Sequence, residues 1–201
     1  MDAGTGEAIE RTPGPESRAW QWLTSGESTV GSKRVFRMAV VAILVSLSAV
    51  AAAGKDLTLS ARSGEFNAST LGSAASSTAI AGSFRIVSFF GTGAWPPAAY
   101  MGIHQGSNRD NSVQVLATRN READHFLVVG YRLVVDGKEV KVASLENVPL
   151  AATVRMSVVF KDGVAVIRVN GGNPVEVRTP FREVAPYISV SSGRAEFVID
   201  P

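Results

Sequence analysis

The sequence predicts an all-β fold for residues 54–201, in the form of a two-sheet antiparallel β-sandwich. Short stretches rich in Val, Ile, Phe and Tyr recur between Gly, Asn, Asp and Pro residues, a pattern typical of strands joined by turns. No long window keeps the 3.6-residue period of an amphipathic helix. The predicted strands are 57–61, 83–90, 99–104, 112–118, 125–135, 139–143, 153–160, 164–170, 175–179, 187–191 and 195–199.

Two Asp-Gly pairs define the β-hairpins of this domain. A two-residue type I′ turn needs positive φ at both central positions, which Asp-Gly supplies. The pair Asp162-Gly163 therefore turns 153–160 back on 164–170, and Asp136-Gly137 turns 125–135 back on 139–143. The apolar pairs expected in the first hairpin are Phe160/Ala165, Val158/Ile167 and Met156/Val169. All six side chains then share one face, so register and burial agree.

Composition limits the classes of function. The chain has 201 residues, of which 45% are hydrophobic and 19% charged, with a net charge of +2 and no cysteine. This is enough for one ordinary domain and an additional segment. The absence of cysteine excludes disulfides and thiolate metal sites. The positive charges form no basic block, so we expect no nucleic-acid partner.

The N-terminal 53 residues divide into two segments. Residues 1–32 are rich in Gly, Ser, Thr, Pro and Glu, and we expect them to be disordered. We also expect the true translation start near Val30 or Val35, which would make residues 1–29 upstream sequence. Residues 33–53 combine three positive charges, an apolar run over 38–53 and small residues at its end. This layout predicts a helical secretory signal peptide, with an uncleaved membrane anchor as the alternative. A secreted or periplasmic location follows.

The C-terminal part of the domain resembles a known superfamily. The stretch VVFKDGVAVIRVNG, followed by a Pro-containing segment and ISVSSGRAEFVID, resembles the second half of concanavalin A-like lectin/glucanase domains, in particular laminin-G-like jelly rolls. The resemblance covers roughly residues 153–199 and implies a jelly-roll sandwich with a glycan-related role. Glycosidases of this superfamily carry carboxylates in an E-x-D-x-x-E-like strand. That pattern is missing here, so the resemblance implies no catalytic residue.

Motifs for catalysis or metal binding are not found. The two histidines, His104 and His125, form no H-x-H or H-E-x-x-H pattern, and no G-x-S-x-G elbow occurs. Glu122 and Asp124 could be read as a carboxylate pair. They lie among arginines in what we interpret as a solvated loop, so we predict no catalytic pair there.

Residues 91–111 supply most of the candidate ligand-binding side chains. Trp95 precedes two prolines and is expected on a stiff, extended loop. Tyr100 and His104 alternate with Met101 and Ile103, so we expect the first two to face away from the buried side. A polar run over 105–111 follows, and aromatic planes beside amide, guanidinium and carboxylate groups suit sugar recognition. The predicted ligand-binding residues are Trp95, Tyr100, His104, Asn108, Arg109, Asp110 and Tyr131.

The same residues have a purely structural interpretation. Asn and Asp favour turns, and Trp95 could plug one end of the sandwich. Residues 108–111 could also supply oxygen ligands to calcium, although they lack the regular D-x-D-x-D spacing. The sequence predicts no other cofactor and no metal site.

The sequence therefore predicts an exported, non-catalytic β-sandwich whose partner is a glycan or another extracellular or cell-envelope polymer. Two alternatives remain open, namely a structural envelope or interaction protein without a small ligand, and a glycosidase or lyase of the same fold. Fold alone does not separate them. An aromatic and polar cluster on one face would favour glycan binding, a buried carboxylate pair catalysis, and a flat surface the structural role.

Overall fold

The computed structural model describes residues 54–91, 95–106 and 109–201. These residues form strands and connecting loops, and within them no helix is long and apolar enough to cross a membrane. The strands are β1 Lys55–Thr70, β2 Ser77–Phe89, β3 Ala98–His104, β4 Ser112–Thr118, β5 Phe126–Val135, β6 Lys138–Pro149, β7 Val154–Lys161, β8 Val164–Val169, β9 Val175–Arg178 and β10 Ala185–Ile199. The predicted disordered segment 1–32 and signal segment 33–53 lie outside the described residues.

All strand pairs of the described part are antiparallel, and together they form a curled sheet in the order β6-β5-β4-β3-β10-β2-β7-β8-β9. The first half of β10 pairs with β3, and its second half pairs with β2. β1 pairs with the other edge of β10, along both of its halves. We call β3–β6 with the first half of β10 the front sheet, and β2 and β7–β9 with the second half of β10 the back sheet. The all-β sandwich predicted from sequence is confirmed.

The long strands β1 and β10 bend where they pass from one sheet to the other. Ser192 has φ of 44° and Gly64 has φ of 75°, both in the left-handed region. The register with β1 shifts between Ala61 and Phe66, and the backbone N–H of Gly64 donates to Ser192 Oγ at 2.9 Å. The sequence prediction of separate strands at 187–191 and 195–199 is therefore wrong. β10 bends at Ser192 but continues as one strand, because β1 pairs with it on both sides of the bend.

One hydrophobic core lies between the two sheets. The front sheet supplies side chains such as Met101, Val115 and Val129, and the back sheet supplies Val158 and Ile167. In each strand these residues alternate with residues on the opposite face, as period-2 geometry requires. We call the face of the front sheet that points away from the core its outer face.

Both Asp-Gly hairpins are confirmed, and the Asp162-Gly163 hairpin has the predicted register. Asp136 and Gly137 have φ of 50° and 73°, and Asp162 and Gly163 have φ of 49° and 80°. These angles are the positive values that a type I′ turn needs. The pairs in the Asp162-Gly163 hairpin are Phe160/Ala165, Val158/Ile167 and Met156/Val169, and all six side chains are buried.

Candidate functional site

The outer face of the front sheet carries a set of buried polar side chains. In β4, Ser112, Gln114 and Thr118 alternate with Val113 and Val115, which point into the core. Corresponding polar residues on the neighbouring strands are His104, Arg132, Ser189 and Ser191. Burying a polar group costs free energy unless it finds a hydrogen-bond partner. A cluster of this kind therefore needs an explanation beyond packing.

Strand register aligns the central side chains in one row across five strands. Thr70 of β1 pairs with Tyr187 of β10, Tyr187 with Gly102 of β3, Gly102 with Gln114 of β4, and Gln114 with Arg132 of β5. Because Gly102 has no side chain, nothing projects between Tyr187 and Gln114 at this position of the row. A Cβ at Gly102 would collide with the carbonyl oxygen of Val113, so glycine also permits the close approach of β3 and β4.

A cleft of about 350 Å³ opens above this row. Its volume falls in the lower part of the range typical of small-molecule sites. Strand residues form its base, and the loop before β4 together with the turn after β5 forms its rim. The described residues that line it are Ala68, Thr70, His104, Arg109, Asp110, Gln114, Arg132, Val134, Gly137 and Tyr187.

A chain of hydrogen bonds fixes the base of the cleft. Arg132 Nε donates to Gln114 Oε1 at 2.5 Å, and Gln114 Nε2 donates to Ser112 Oγ at 2.7 Å. Ser112 Oγ in turn donates to the backbone carbonyl of Arg109 at 2.9 Å. Arg132 Nη1 also lies 3.6 Å from Glu139 Oε2 of β6. The guanidinium and amide groups are thus held in defined orientations before any ligand arrives.

Tyr187 and His104 form the other side of the base. Their ring centroids are 5.1 Å apart with the planes nearly perpendicular, and His104 Nε2 lies 3.1 Å from Thr70 Oγ1. The Tyr187 hydroxyl is fully buried and has no hydrogen bond of acceptable geometry. Burial raises the pKa of Tyr187 well above its ordinary value, against smaller lowering effects of Arg132, Arg109 and Ser112. Tyr187 therefore carries its proton throughout the neutral pH range and can act as a donor.

The loop before β4 places Arg109 and Asp110 at the rim. The backbone N–H of Gly137 donates to the Asp110 carbonyl at 2.9 Å, and the N–H of Asp136 donates to Asn111 Oδ1 at 3.0 Å. These bonds tie the loop to the β5–β6 turn. The guanidinium of Arg109 lies 3.0 Å from the ring centroid of Phe66, a cation–π arrangement that holds it against β1.

The structure brings together only some of the residues that the sequence singled out. His104, Arg109 and Asp110 line the cleft. Tyr100 lies on the same face, 5.4 Å from the Arg132 guanidinium and 5.8 Å from the Phe66 ring, although it is fully buried. Trp95 does not line the cleft.

Trp95 instead packs beside Phe66, with ring centroids 6.4 Å apart, and its carbonyl accepts a hydrogen bond from Ser192 Oγ at 2.6 Å. Asn108 lies outside the described residues. Tyr131 belongs to the core cluster, because the period-2 alternation of β5 sends it inward when Arg132 faces outward. It therefore does not reach the cleft.

Four polar residues of the cleft were missed from the sequence, namely Thr70, Gln114, Arg132 and Tyr187. Gln114 and Arg132 left a visible signal, because each is a polar residue within an otherwise apolar strand. Burying such a residue costs free energy unless its polar group is paired. A polar residue in an apolar strand is therefore a candidate for a functional role. Thr70 and Tyr187 left no comparable signal.

Metal-binding side chains do not cluster in the part of the chain that the structure describes. No group of three or more His, Asp or Glu side chains that could hold a metal ion occurs among the described residues. Glu122 and Asp124 lie in the β4–β5 loop. There the Glu122 carbonyl accepts a bond from Arg119 and Asp124 Oδ2 accepts one from the Arg121 N–H.

The described residues form an antiparallel sandwich that fits a jelly roll, the fold that the resemblance seen in the sequence implies. The carbohydrate-binding module CBM66 from Bacillus subtilis superposes with a TM-score of 0.51 at 10% sequence identity, over 74% of this chain and 92% of the module. At this identity the similarity shows the fold alone. No family model matches the sequence, and no curated protein matches it.

Two further solved structures are more distantly similar. The PL7 alginate lyase AlyA1 from Zobellia galactanivorans has a TM-score of 0.43 at 12% identity, over 67% of this chain and 62% of the lyase. The homodimeric agglutinin CG-16 from chicken liver has a TM-score of 0.44 at 9% identity, over 68% of this chain and 97% of the agglutinin.

Proposed function

We propose that this protein binds a glycan in the cleft on the outer face of its front sheet and does not hydrolyse it. The observation that carries the proposal is the row of buried polar side chains that lines the cleft, in which the Tyr187 hydroxyl has no well-formed hydrogen bond. Leaving such a group unsatisfied costs free energy, and a ligand hydroxyl would recover it. Sugars combine hydroxyl groups with apolar ring faces. The cleft offers polar side chains to the first and the apolar side chains of Ala68 and Val134 to the second.

The polar groups of the cleft are held on rigid elements. Tyr187, Gln114 and Arg132 project from three strands of one sheet, in one row. Because hydrogen bonds orient Gln114 and Arg132 beforehand and burial fixes the Tyr187 ring, little conformational entropy is lost when a ligand binds. A preorganised row of donors and acceptors is well suited to recognise the spaced hydroxyl groups of a sugar chain.

The distribution of carboxylates favours binding over hydrolysis. Glycoside hydrolysis generally uses two carboxyl groups on either side of the scissile bond. Among the described residues that line the cleft, Asp110 is the one carboxylate. The fold shared with a carbohydrate-binding module agrees with a binding role, although fold does not determine function.

The test is a glycan array probed with the full chain, followed by calorimetric titration of each glycan that binds. Tyr187→Phe removes one hydroxyl from the cleft and should weaken binding roughly 2- to 10-fold, as the loss of one hydrogen bond predicts. The matched control is Tyr131→Phe, which removes the same atom from the core side of the sheet and should bind as the wild type does. Equal affinities for wild type and Tyr187→Phe would contradict the proposed site.

We further propose that the domain acts outside the cytoplasm, with residues 33–53 directing its export. The support is the charge and hydropathy layout of that segment. Cell fractionation followed by mass spectrometry of the exported form tests the proposal. A mature N-terminus near residues 52–54 is the expected result, whereas full-length protein confined to the cytoplasm would overturn it.

A further inference from the structure

Two guanidinium groups line the cleft from opposite sides. Arg132 extends from β5 at the base, with a side chain that is only 5% exposed. Arg109 extends from the loop before β4 and stacks on Phe66 at the rim. Guanidinium groups are planar and match a carboxylate with two parallel N–H donors, so a pair of them in one cleft indicates an anionic ligand.

The hydrogen bonds at the base of the cleft fix the orientation of the Gln114 amide group. Since Arg132 Nε occupies Gln114 Oε1, the amide group of Gln114 must present its NH₂ toward Ser112. The amide NH₂ has one further N–H to donate, and it cannot accept a hydrogen bond. Arg132 and Gln114 together form a surface of donors, which suits an acceptor-only ligand group.

The phenol of Tyr187 adds a third donor to this surface. Its proton is retained because burial raises the pKa, while both Arg132 and Arg109 act to lower the pKa. Both cations therefore act electrostatically on the same hydroxyl. A neutral phenol in a positive field is a good donor to an anion.

We infer that the glycan bound by this cleft is acidic, and that a sugar carboxylate is received by Arg132 and Gln114 with Arg109 above it. This inference rests on the proposed glycan-binding function and specifies the ligand class. Asp110 at the rim accepts hydrogen bonds from the sugar hydroxyl groups. The Glu139 carboxylate, which lies 3.6 Å from Arg132 Nη1, competes with the sugar carboxylate for this guanidinium.

The probes are acidic oligosaccharides, each paired with its own carboxyl-reduced form, in which every carboxylate has become a neutral hydroxymethyl group. Oligogalacturonate, oligomannuronate and hyaluronan oligomers are titrated into the full chain alongside their reduced forms. Dextran sulfate and dextran form a further pair that separates sulfate from carboxylate. At least one carboxylated oligomer should bind about 10-fold or more tightly than its reduced form, as loss of a charged hydrogen-bond pair predicts.

Substitutions test which side chains bind the sugar carboxylate. Arg132→Gln should abolish the preference for the carboxylated form, and Arg109→Gln, on the loop, should reduce it without disturbing the sheet. Arg178→Gln is the matched control, because Arg178 lies at the exposed edge of the back sheet, where its side chain is 88% exposed, and it should keep the preference. Glu139→Gln removes the competing carboxylate and should strengthen binding about 2- to 5-fold.

The outcomes separate this inference from the proposed function. Equal affinity for a glycan and its carboxyl-reduced form, with binding still sensitive to Tyr187→Phe, would overturn the inference and leave glycan binding standing. Binding of dextran sulfate without any carboxylated oligomer would also overturn the carboxylate assignment. If the folded chain binds no glycan in either series, both proposals fail.

Discussion

Tyr187→Phe is expected to stabilise the fold although it weakens ligand binding. The residue is 1% exposed and its hydroxyl makes no hydrogen bond of acceptable geometry. Burying a hydroxyl without compensation costs about 1–3 kcal/mol in protein mutational data. Phenylalanine keeps the ring that packs against His104 and removes the uncompensated oxygen. The free energy of unfolding should therefore rise by about 1 kcal/mol or more.

Equilibrium urea unfolding of the full chain, followed by circular dichroism, measures this change. The midpoint should move to higher urea at an unchanged slope, because the surface exposed on unfolding is the same. A gain of about 1 kcal/mol corresponds to a Tm increase of roughly 2–4 °C for a domain of this size. If Tyr187→Phe instead lowers the free energy of unfolding by about 1 kcal/mol, the hydroxyl has a good partner in the unliganded protein. The argument for its role in the cleft then fails.

The remaining predictions concern pH and the framework of the fold. Burial raises the pKa of Tyr187 above the ordinary 10.0, so the folded state disfavours the phenolate. Stability is therefore unaffected by this titration below pH 10 and falls as the pH rises further. Relative to Tyr187→Phe, wild type should lose up to about 1.4 kcal/mol per pH unit above 10 in urea unfolding. Phe160→Ala empties a fully buried core site and should cost about 3–5 kcal/mol, whereas a cost under 1 kcal/mol would contradict the packing. Gly163→Ala forces a side chain into φ of 80° and should cost about 1–2 kcal/mol in the same assay. Arg85→Ala breaks an exposed ion pair with Glu196 and should change stability by less than about 1 kcal/mol, so a larger loss of Tm would contradict that assignment.

Local chemistry explains the parts of the fold that the sequence predicts well. The Asp162-Gly163 turn was found because positive φ at two successive positions selects a narrow set of residues. Its register followed because a shift of one residue would turn the apolar side chains of Phe160 and Ile167 to the solvent. The continuity of β10 through Ser192 was missed because a bend and a strand end have the same local composition. Only the pairing with β1 on both sides of Ser192 distinguishes them.

The residues of the cleft also divide into some that the sequence predicts and some that it does not. His104, Arg109 and Asp110 were found together because they are close in the chain and need no tertiary information to be grouped. Gln114 and Tyr187 were missed because they come together through the order of β10, β3 and β4, which sequence periodicity does not specify. Periodicity separates the two faces of a strand, but it does not say which face of which strand meets a neighbour.

The position of β10 in the chain affects how the protein is made. This strand pairs with β1, β2 and β3, and Lys55 is matched with Ile199, so the sandwich depends on contacts between distant parts of the sequence. Such contacts slow folding. During synthesis, the edges of β2 and β3 that β10 will cover stay open until residues 185–199 leave the ribosome, and open edges promote aggregation. The cleft, which takes Tyr187 from β10, therefore forms only after residues 185–199 have been synthesised.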